Sequence, residues 1–333
     1  MKKQALYLLT GIMVCIMWIS KIVTMSEYLY FPGIKKIVDE QSVQSIAVVE
    51  DSLTSEMILL AQENDEVVEE IEETVPVNKI ELNMDKLSDY NYLRSTFYTV
   101  DSSTTIGKDQ LNIEDLLKYD TKINNESSGP KVLIFHTHSQ EAFADSIKGD
   151  SNTSIVGMGA YLSELLNKKG IETMHHTGVY DLIDGKLDRS KAYQHAVKSV
   201  EEILNENPSI EVVIDLHRDG VPDNKKLVKE INGKPTAKIM YFNGLSRTKS
   251  NGDISYLHNP YIDENLSFSF QMQLATESLY PGFARKIYLK AYRYSLHMMP
   301  KSLLIEAGAQ NNTVEEMKNA MELLANVLEE VLL

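Results

Sequence analysis

Residues 129–141 read Gly-Pro-Lys-Val-Leu-Ile-Phe-His-Thr-His-Ser-Gln-Glu. The apolar run in Lys131–Phe135, entered through Gly129-Pro130, shows no polar alternation. A strand with one wet face alternates, whereas a strand of a parallel sheet buried on both faces does not. The chain repeats this logic downstream. Met158, Leu162, Leu165 and Leu166 recur at helical spacing with Gly170 as a stop, and Ile171–Met174 supplies the next strand. Ala192, Ala196, Val200, Ile203 and Leu204 mark a helix ending near Asn207-Pro208, and Ile210–Leu216 is a second buried strand. Ser302–Ile305 is a third, and Thr313–Leu333 reads as an amphipathic helix opened by a Thr313/Glu316 capping box. Upstream, Leu93–Val100 reads as a short strand and Ile113–Leu117 as a short helix. Strands alternating with helices in this way predict an α/β fold, with a mainly parallel sheet and helices on both faces. Neither an internal repeat nor a Gly-rich phosphate loop is present.

The 333 residues carry 33 Lys+Arg against 48 Asp+Glu, a formal charge of −15, with 43% hydrophobic and 24% charged residues. That composition is globular, and its sign argues against a duplex nucleic-acid partner, which is held largely by Lys and Arg. Cys15 is the single cysteine, so an internal disulfide framework and multi-cysteine metal sites are excluded. Any metal must be held by histidines and carboxylates.

After Met1-Lys2-Lys3-Gln4, the run Ala5–Ser20 has no charge before Lys21, and Ile22 and Val23 extend it. This approaches the roughly 20 helical residues that cross a ~30 Å hydrocarbon core. The leading lysines predict an N-terminus that stays inside while the rest is exported. Residues 22–26 lack an A-x-A-like cleavage pattern, so residues 1–25 read as a single-pass anchor in the cell membrane rather than a cleaved signal peptide. No Lys or Arg occurs between Ile37 and Asn78, while acids crowd Glu63 to Glu73. Residues 26–89 therefore read as an acidic, largely disordered spacer, and residues 90–333 as the catalytic domain.

Three of the strands run into polar residues: His136-Thr137-His138-Ser139-Gln140-Glu141, His217-Arg218-Asp219-Gly220 and Glu306-Ala307-Gly308. In open α/β sheets, sites form outside the carboxyl ends of strands, where groups distant in sequence converge. Catalytic Zn²⁺ commonly takes two His and one Glu and leaves a position for water. His138, Glu141 and His217 can supply that set, with Glu306 as the separate carboxylate that moves the water proton. Arg218 suits an oxyanion or a substrate carboxylate, and Asp219 and His136 suit the orientation of a ligand imidazole. The duller readings are hydrogen-bonded loop histidines, a salt-bridged turn at His217-Arg218-Asp219 and a helix-capping Glu306. Convergence of three strand ends favours the metal site. His136 competes with His138 as the ligand; the spacing of His138 to Glu141, which matches the zinc carboxypeptidase pattern, favours His138. His175-His176 reads as mainly structural, and His195, His258 and His297 as outside the site. Arg285 to Tyr294, basic and aromatic, reads as an alternating strand or a wall of the substrate groove.

Several blocks together resemble one family. Residues 136–143 (HTHSQEAF), 181–190 (DLIDGKLDRS), 213–220 (VIDLHRDG), 243–247 (NGLSR) and 303–310 (LLIEAGAQ) are similar to stage II sporulation protein P of endospore-forming bacteria. The resemblance runs from about Tyr90 to Leu333, and the membrane segment with its acidic spacer suits the family's layout. It implies a cell-wall hydrolase of the zinc amidase type, with a phosphorylase/hydrolase-type fold. Such an enzyme cuts the N-acetylmuramoyl–L-alanine amide of peptidoglycan, with an endopeptidase activity on cross-links. It acts beside stage II sporulation proteins D and M during engulfment of the forespore. Carried onto this chain, the zinc ligands fall on His138, Glu141 and His217 and the general base on Glu306. The short spacing of His138 to Glu141 departs from the wider zinc amidase class. Two other readings remain: a zinc carboxypeptidase trimming stem peptides, and a non-catalytic cell-wall-binding scaffold.

Overall fold

A computed structural model describes residues 82–189 and 191–333. The anchor and nearly all of the acidic spacer expected from the sequence lie outside the described residues. Among those described, no helix is long and apolar enough to cross a membrane. Seven strands form the central sheet: Tyr98–Val100 (β1), Val132–Phe135 (β2), Thr173–His175 (β3), Val212–Asp219 (β4), Ile239–Gly244 (β5), Ile287–Lys290 (β6) and Ser302–Ala309 (β7). The helices are Met84–Leu87 (α1), Tyr90–Phe97 (α2), Ile113–Lys118 (α3), Ile155–Lys168 (α4), Ala192–Glu206 (α5), Ile262–Leu279 (α6) and Val314–Leu332 (α7).

The sheet order is β1-β6-β5-β7-β4-β2-β3. Every neighbouring pair is parallel except β5 and β7, which run antiparallel. The expected parallel sheet is thus two parallel blocks joined along one antiparallel seam. Helices cover both faces, unequally. The alternate residues Val132, Ile134, Ile214, Leu216, Tyr241 and Ile305 pack with α2, α3, α4, α6 and α7 into the main core. On the other face, Leu133, Phe135 and Val213 meet Ala192, Ala196 and Val200 of α5. Tyr193 of α5, with Tyr294 and Leu296, closes the rest of that face against Met240, Phe242 and Leu304.

Two elements differ from expectation. Residues 93–100 are mostly helix: the Asp89 carboxylate accepts from Tyr92 N at 2.7 Å, capping α2, and Leu93 and Phe97 bury one turn apart. Only Tyr98–Val100 is strand. Strands β4 and β7 also run further than expected, because their pairing continues through Glu306↔His217 to Ala309↔Asp219. The polar residues of these two elements therefore stand on paired strand, where register fixes them, rather than on loops after it. The final helix opens with the expected capping box, Thr313 Oγ1 accepting from Glu316 N and Glu316 Oε2 from Thr313 N.

Gly159 of α4 faces His136 and His175, whose Nε2 atoms lie 2.9 Å apart. A Cβ at Gly159 would stand 2.5 Å from His136 Nε2 and 2.7 Å from His175 Nε2. Gly-to-Ala inside a helix ordinarily stabilises by roughly 0.5–1 kcal/mol. Here overpacking outweighs that gain, so Gly159→Ala is expected to cost about 1–3 kcal/mol in urea denaturation; a stabilised variant would contradict the packing.

Candidate metal centre

The buried side chains of His138, Glu141 and His217 come together, with one ligand atom from each within 4.8 Å of the others. His138 and Glu141 sit on the turn after β2, and His217 comes from the adjacent strand β4. Glu141 Oε1 lies 3.5 Å from His138 Nδ1 and 3.7 Å from His217 Nδ1. Its other oxygen accepts the Arg218 backbone N–H at 2.8 Å, which aims Oε1 into the cluster. The turn is held from below by Asp181, a fully buried carboxylate that accepts from Ser139 Oγ at 2.8 Å and Gln140 N at 3.2 Å.

The choice between the two turn histidines is decided by hydrogen bonding. His136 Nδ1 donates to Leu216 O at 2.7 Å and its Nε2 meets His175, so neither nitrogen is free for a metal. Burial lowers the His136 pKa to about 4 and that of His175 to about 4, keeping the pair neutral. His138 Nε2, in contrast, is buried with no hydrogen-bond partner. His176 bonds Tyr180 Oη at 2.5 Å, and His195, His258 and His297 stand outside the cluster.

His217 is oriented by Asp215, not by the expected Asp219 and His136. Asp215 accepts from His217 Nε2 at 2.8 Å, from Thr137 N and Oγ1 at 2.9 and 2.6 Å, and from Ser295 Oγ at 2.7 Å. Residues two apart on a strand share a face, so Asp215 lies under His217 and its carboxylate fixes the proton on Nε2. In the neutral ring Nδ1, on the Glu141 side, is then the nitrogen whose lone pair a metal could take. Asp219, two residues further along, instead accepts from Arg285 Nη1 at 2.6 Å in a buried ion pair. The sequence carried a signal for Asp215: an acid inside a strand buried on both faces is costly unless its hydrogen bonds are filled. Asp181 gave no comparable signal.

Glu306 is the register neighbour of His217 on β7. Part of the residue is exposed, but its Oε2 is enclosed and has no hydrogen-bond partner. Desolvation, reinforced by the Glu141 charge and opposed by His217, Arg285 and Arg218, pushes its pKa up to about 7. Burial opposes ionisation of Glu141 too, but hydrogen bonds and charge from His138 and His217 outweigh it and hold its carboxylate well below the usual range. Burial disfavours the His217 cation, yet Asp215 and Glu141 hold its pKa well above 6.5. Tyr193 closes the floor, its ring 5.5 Å from that of His138 and 6.5 Å from that of His217.

A divalent cation suits this arrangement. Two imidazoles and one carboxylate converge, one imidazole nitrogen is enclosed without a partner, and the donor set is one that Zn²⁺ takes in catalytic sites. The sequence of the chain as a whole gives the context. The family model for stage II sporulation protein P (SpoIIP) matches residues 30–329. The chain belongs to that family. Stage II sporulation protein P of Bacillus subtilis (strain 168) is 23% identical over 246 residues, which is 67% of this chain and 58% of the relative. The chain thus spans 58% of the length of the curated relative it matches.

Solved structures give more distant likenesses. The catalytic domain of the CD27L endolysin targeting Clostridia difficile has a TM-score of 0.39 at 13% identity, over 61% of this chain and 96% of that one. The CwlD amidase of Clostridioides difficile, in complex with the GerS lipoprotein, has 0.37 at 15%, over 60% and 98%. The N-acetylmuramoyl-L-alanine amidase AmiC2 of Nostoc punctiforme has 0.35 at 15%, over 62% and 96%. At these scores the fold rests on the strand order and register given above.

Loss of an outer carboxylate that orients a ligand histidine typically weakens metal binding by about 10–100-fold. Asp215→Asn is expected to do so in chelator competition; an unchanged zinc affinity would show that His217 needs no such support.

Proposed function

We propose that this chain is a zinc-dependent peptidoglycan hydrolase that cleaves the amide between N-acetylmuramic acid and L-alanine, with an endopeptidase activity on peptide cross-links. The observation that carries this reading is the buried His138–Glu141–His217 cluster with the partnerless carboxylate oxygen of Glu306 one strand away. Membership of the sporulation family supports peptidoglycan as the substrate. We place the enzyme at the cell membrane through residues 1–25. Its catalytic domain then works between the mother-cell and forespore membranes during engulfment, beside stage II sporulation proteins D and M.

His138, Glu141 and His217 would hold the zinc. Bound there, zinc supplies Lewis acidity, polarising a carbonyl and lowering the pKa of water to about 7. Glu306 takes the proton from the attacking water and returns it to the leaving amine. The enclosure of its carboxyl, which disfavours the charged form and raises its pKa, suits both halves of that task. The Arg218 guanidinium has Nε on Ala142 O at 2.9 Å and Nη1 on Asp219 O at 3.0 Å. Its remaining N–H groups are assigned to the substrate carbonyl oxygen as charge builds there.

Glu306→Gln keeps the size and removes the base. The full-length variant is expected to retain zinc while releasing free stem peptides from peptidoglycan about 10²–10⁴-fold more slowly, read by mass spectrometry of the fragments. Fragments shortened only at their carboxyl ends would identify a carboxypeptidase instead. Absence of any cleavage by the unaltered protein would leave the scaffold reading.

A further inference from the structure

Arg189 stands beside the metal cluster with its donors unused. Its Nη2 is 3.8 Å from Glu141 Oε1, beyond hydrogen-bond distance, and its Nε is enclosed without a partner. No described residue accepts a hydrogen bond from this guanidinium. Yet the side chain is 31% exposed, so part of it is open to solvent. The other two arginines of the site are each held by a protein acceptor. Arg218 has two donors on backbone carbonyls, and Arg285 is paired with Asp219.

The local fold delivers Arg189 to this place. Leu182–Ile183 pairs antiparallel with Lys186–Leu187, and Asp184 and Gly185 turn the chain with φ of 50° and 76°. Both central residues lie in the left-handed region, as a tight two-residue hairpin turn requires. Asp188 N donates to Asp181 O at 2.8 Å, closing the base of the hairpin. The Asp181 carboxylate in turn grips Ser139 and Gln140, between the ligands His138 and Glu141. Arg189 is thus carried on a hairpin fastened to the ligand turn.

Building on the hydrolase reading, we propose that Arg189 determines specificity by binding a free carboxylate on the peptide half of the substrate. In the metal-free arrangement the Glu141 charge attracts the guanidinium. A cation held by His138, Glu141 and His217 would take up that charge and leave the Arg189 fork available to another carboxylate. A planar guanidinium with vacant donors matches a carboxylate in bidentate fashion, and beside a bound cation the local potential favours an anion. The stem peptide provides such a group in the carboxyl of its second residue. The site therefore selects an acidic peptide over its amidated form.

The experiment uses the full-length, zinc-loaded Glu306→Gln protein, in which binding is read without turnover. Two muramoyl-tripeptides are titrated by calorimetry, differing only in whether the carboxyl of the second residue is free or amidated. The acid is expected to bind about tenfold or more tightly, the scale of a hydrogen bond to a charged group. Adding Arg189→Gln should reduce the ratio to near one with zinc content unchanged, and Arg189→Lys should restore part of it. Equal binding of the two peptides by the Arg189 protein would overturn the proposal, as would a preference that survives Arg189→Gln. Loss of zinc in Arg189→Gln would also overturn it, making Arg189 a support for Glu141. Binding of neither peptide would remove the hydrolase reading and Arg189's role with it, whereas equal binding removes only the latter.

Discussion

The site depends on one buried carboxylate. Asp215 collects the Thr137 amide and hydroxyl, the Ser295 hydroxyl and the His217 imidazole. These come from the turn after β2, the segment before β7 and β4 itself, so one side chain ties together the pieces that carry the cluster. A carboxylate this deeply buried is tolerated because its acceptor positions are filled, and that filling fixes the His217 tautomer. Truncating it would strip partners from three segments at once. The placement of Glu141 is a separate matter, governed by Asp181 below the turn and the Arg218 amide above it.

Charge explains why this enclosure suits a cation. Glu141, Asp215 and Asp219 are buried within one region, with Glu306 partly exposed beside them. Arg285 answers Asp219 directly at 2.6 Å, and Asp215 is met by hydrogen-bond donors. Glu141 has no guanidinium nearer than 3.8 Å and relies on the rings of His138 and His217, 3.5 and 3.7 Å away, while Glu306 has an oxygen with no donor. Uncompensated buried charge is costly, several kcal/mol per ion even after relaxation. A divalent ion between His138, Glu141 and His217 would answer the Glu141 charge directly.

Much of this was legible in the sequence. Continuous apolar runs gave away β2, β4 and β7, helical spacing gave α4, α5 and α7, and the polar residues at the ends of those strands pointed to His138, Glu141, His217 and Glu306. What escaped were facts about partners. The antiparallel seam between β5 and β7 is invisible in an apolar run, because burial on both faces looks the same in either direction. Residues 93–97 read as strand because the Thr-Phe-Tyr-Thr-Val stretch that follows obscures the helical spacing of Leu93 and Phe97. The orienting role fell to Asp215 rather than Asp219 because β4 continues past Leu216, and two-residue alternation decides which acid lies under the histidine. His136 and His138, which the sequence distinguishes only by spacing to Glu141, differ plainly in partners, since Leu216 and His175 occupy both nitrogens of His136.

The central claim is that His138, Glu141 and His217 form one zinc site. X-ray absorption at the zinc edge on the full-length protein, with metal content measured on the same sample, tests it most directly. The account predicts one zinc per chain with two imidazole nitrogens, one carboxylate and a remaining light-atom ligand, and loss of the bound metal in His217→Ala. A protein that binds no zinc, or zinc whose environment is unchanged when His217 is replaced, would contradict it.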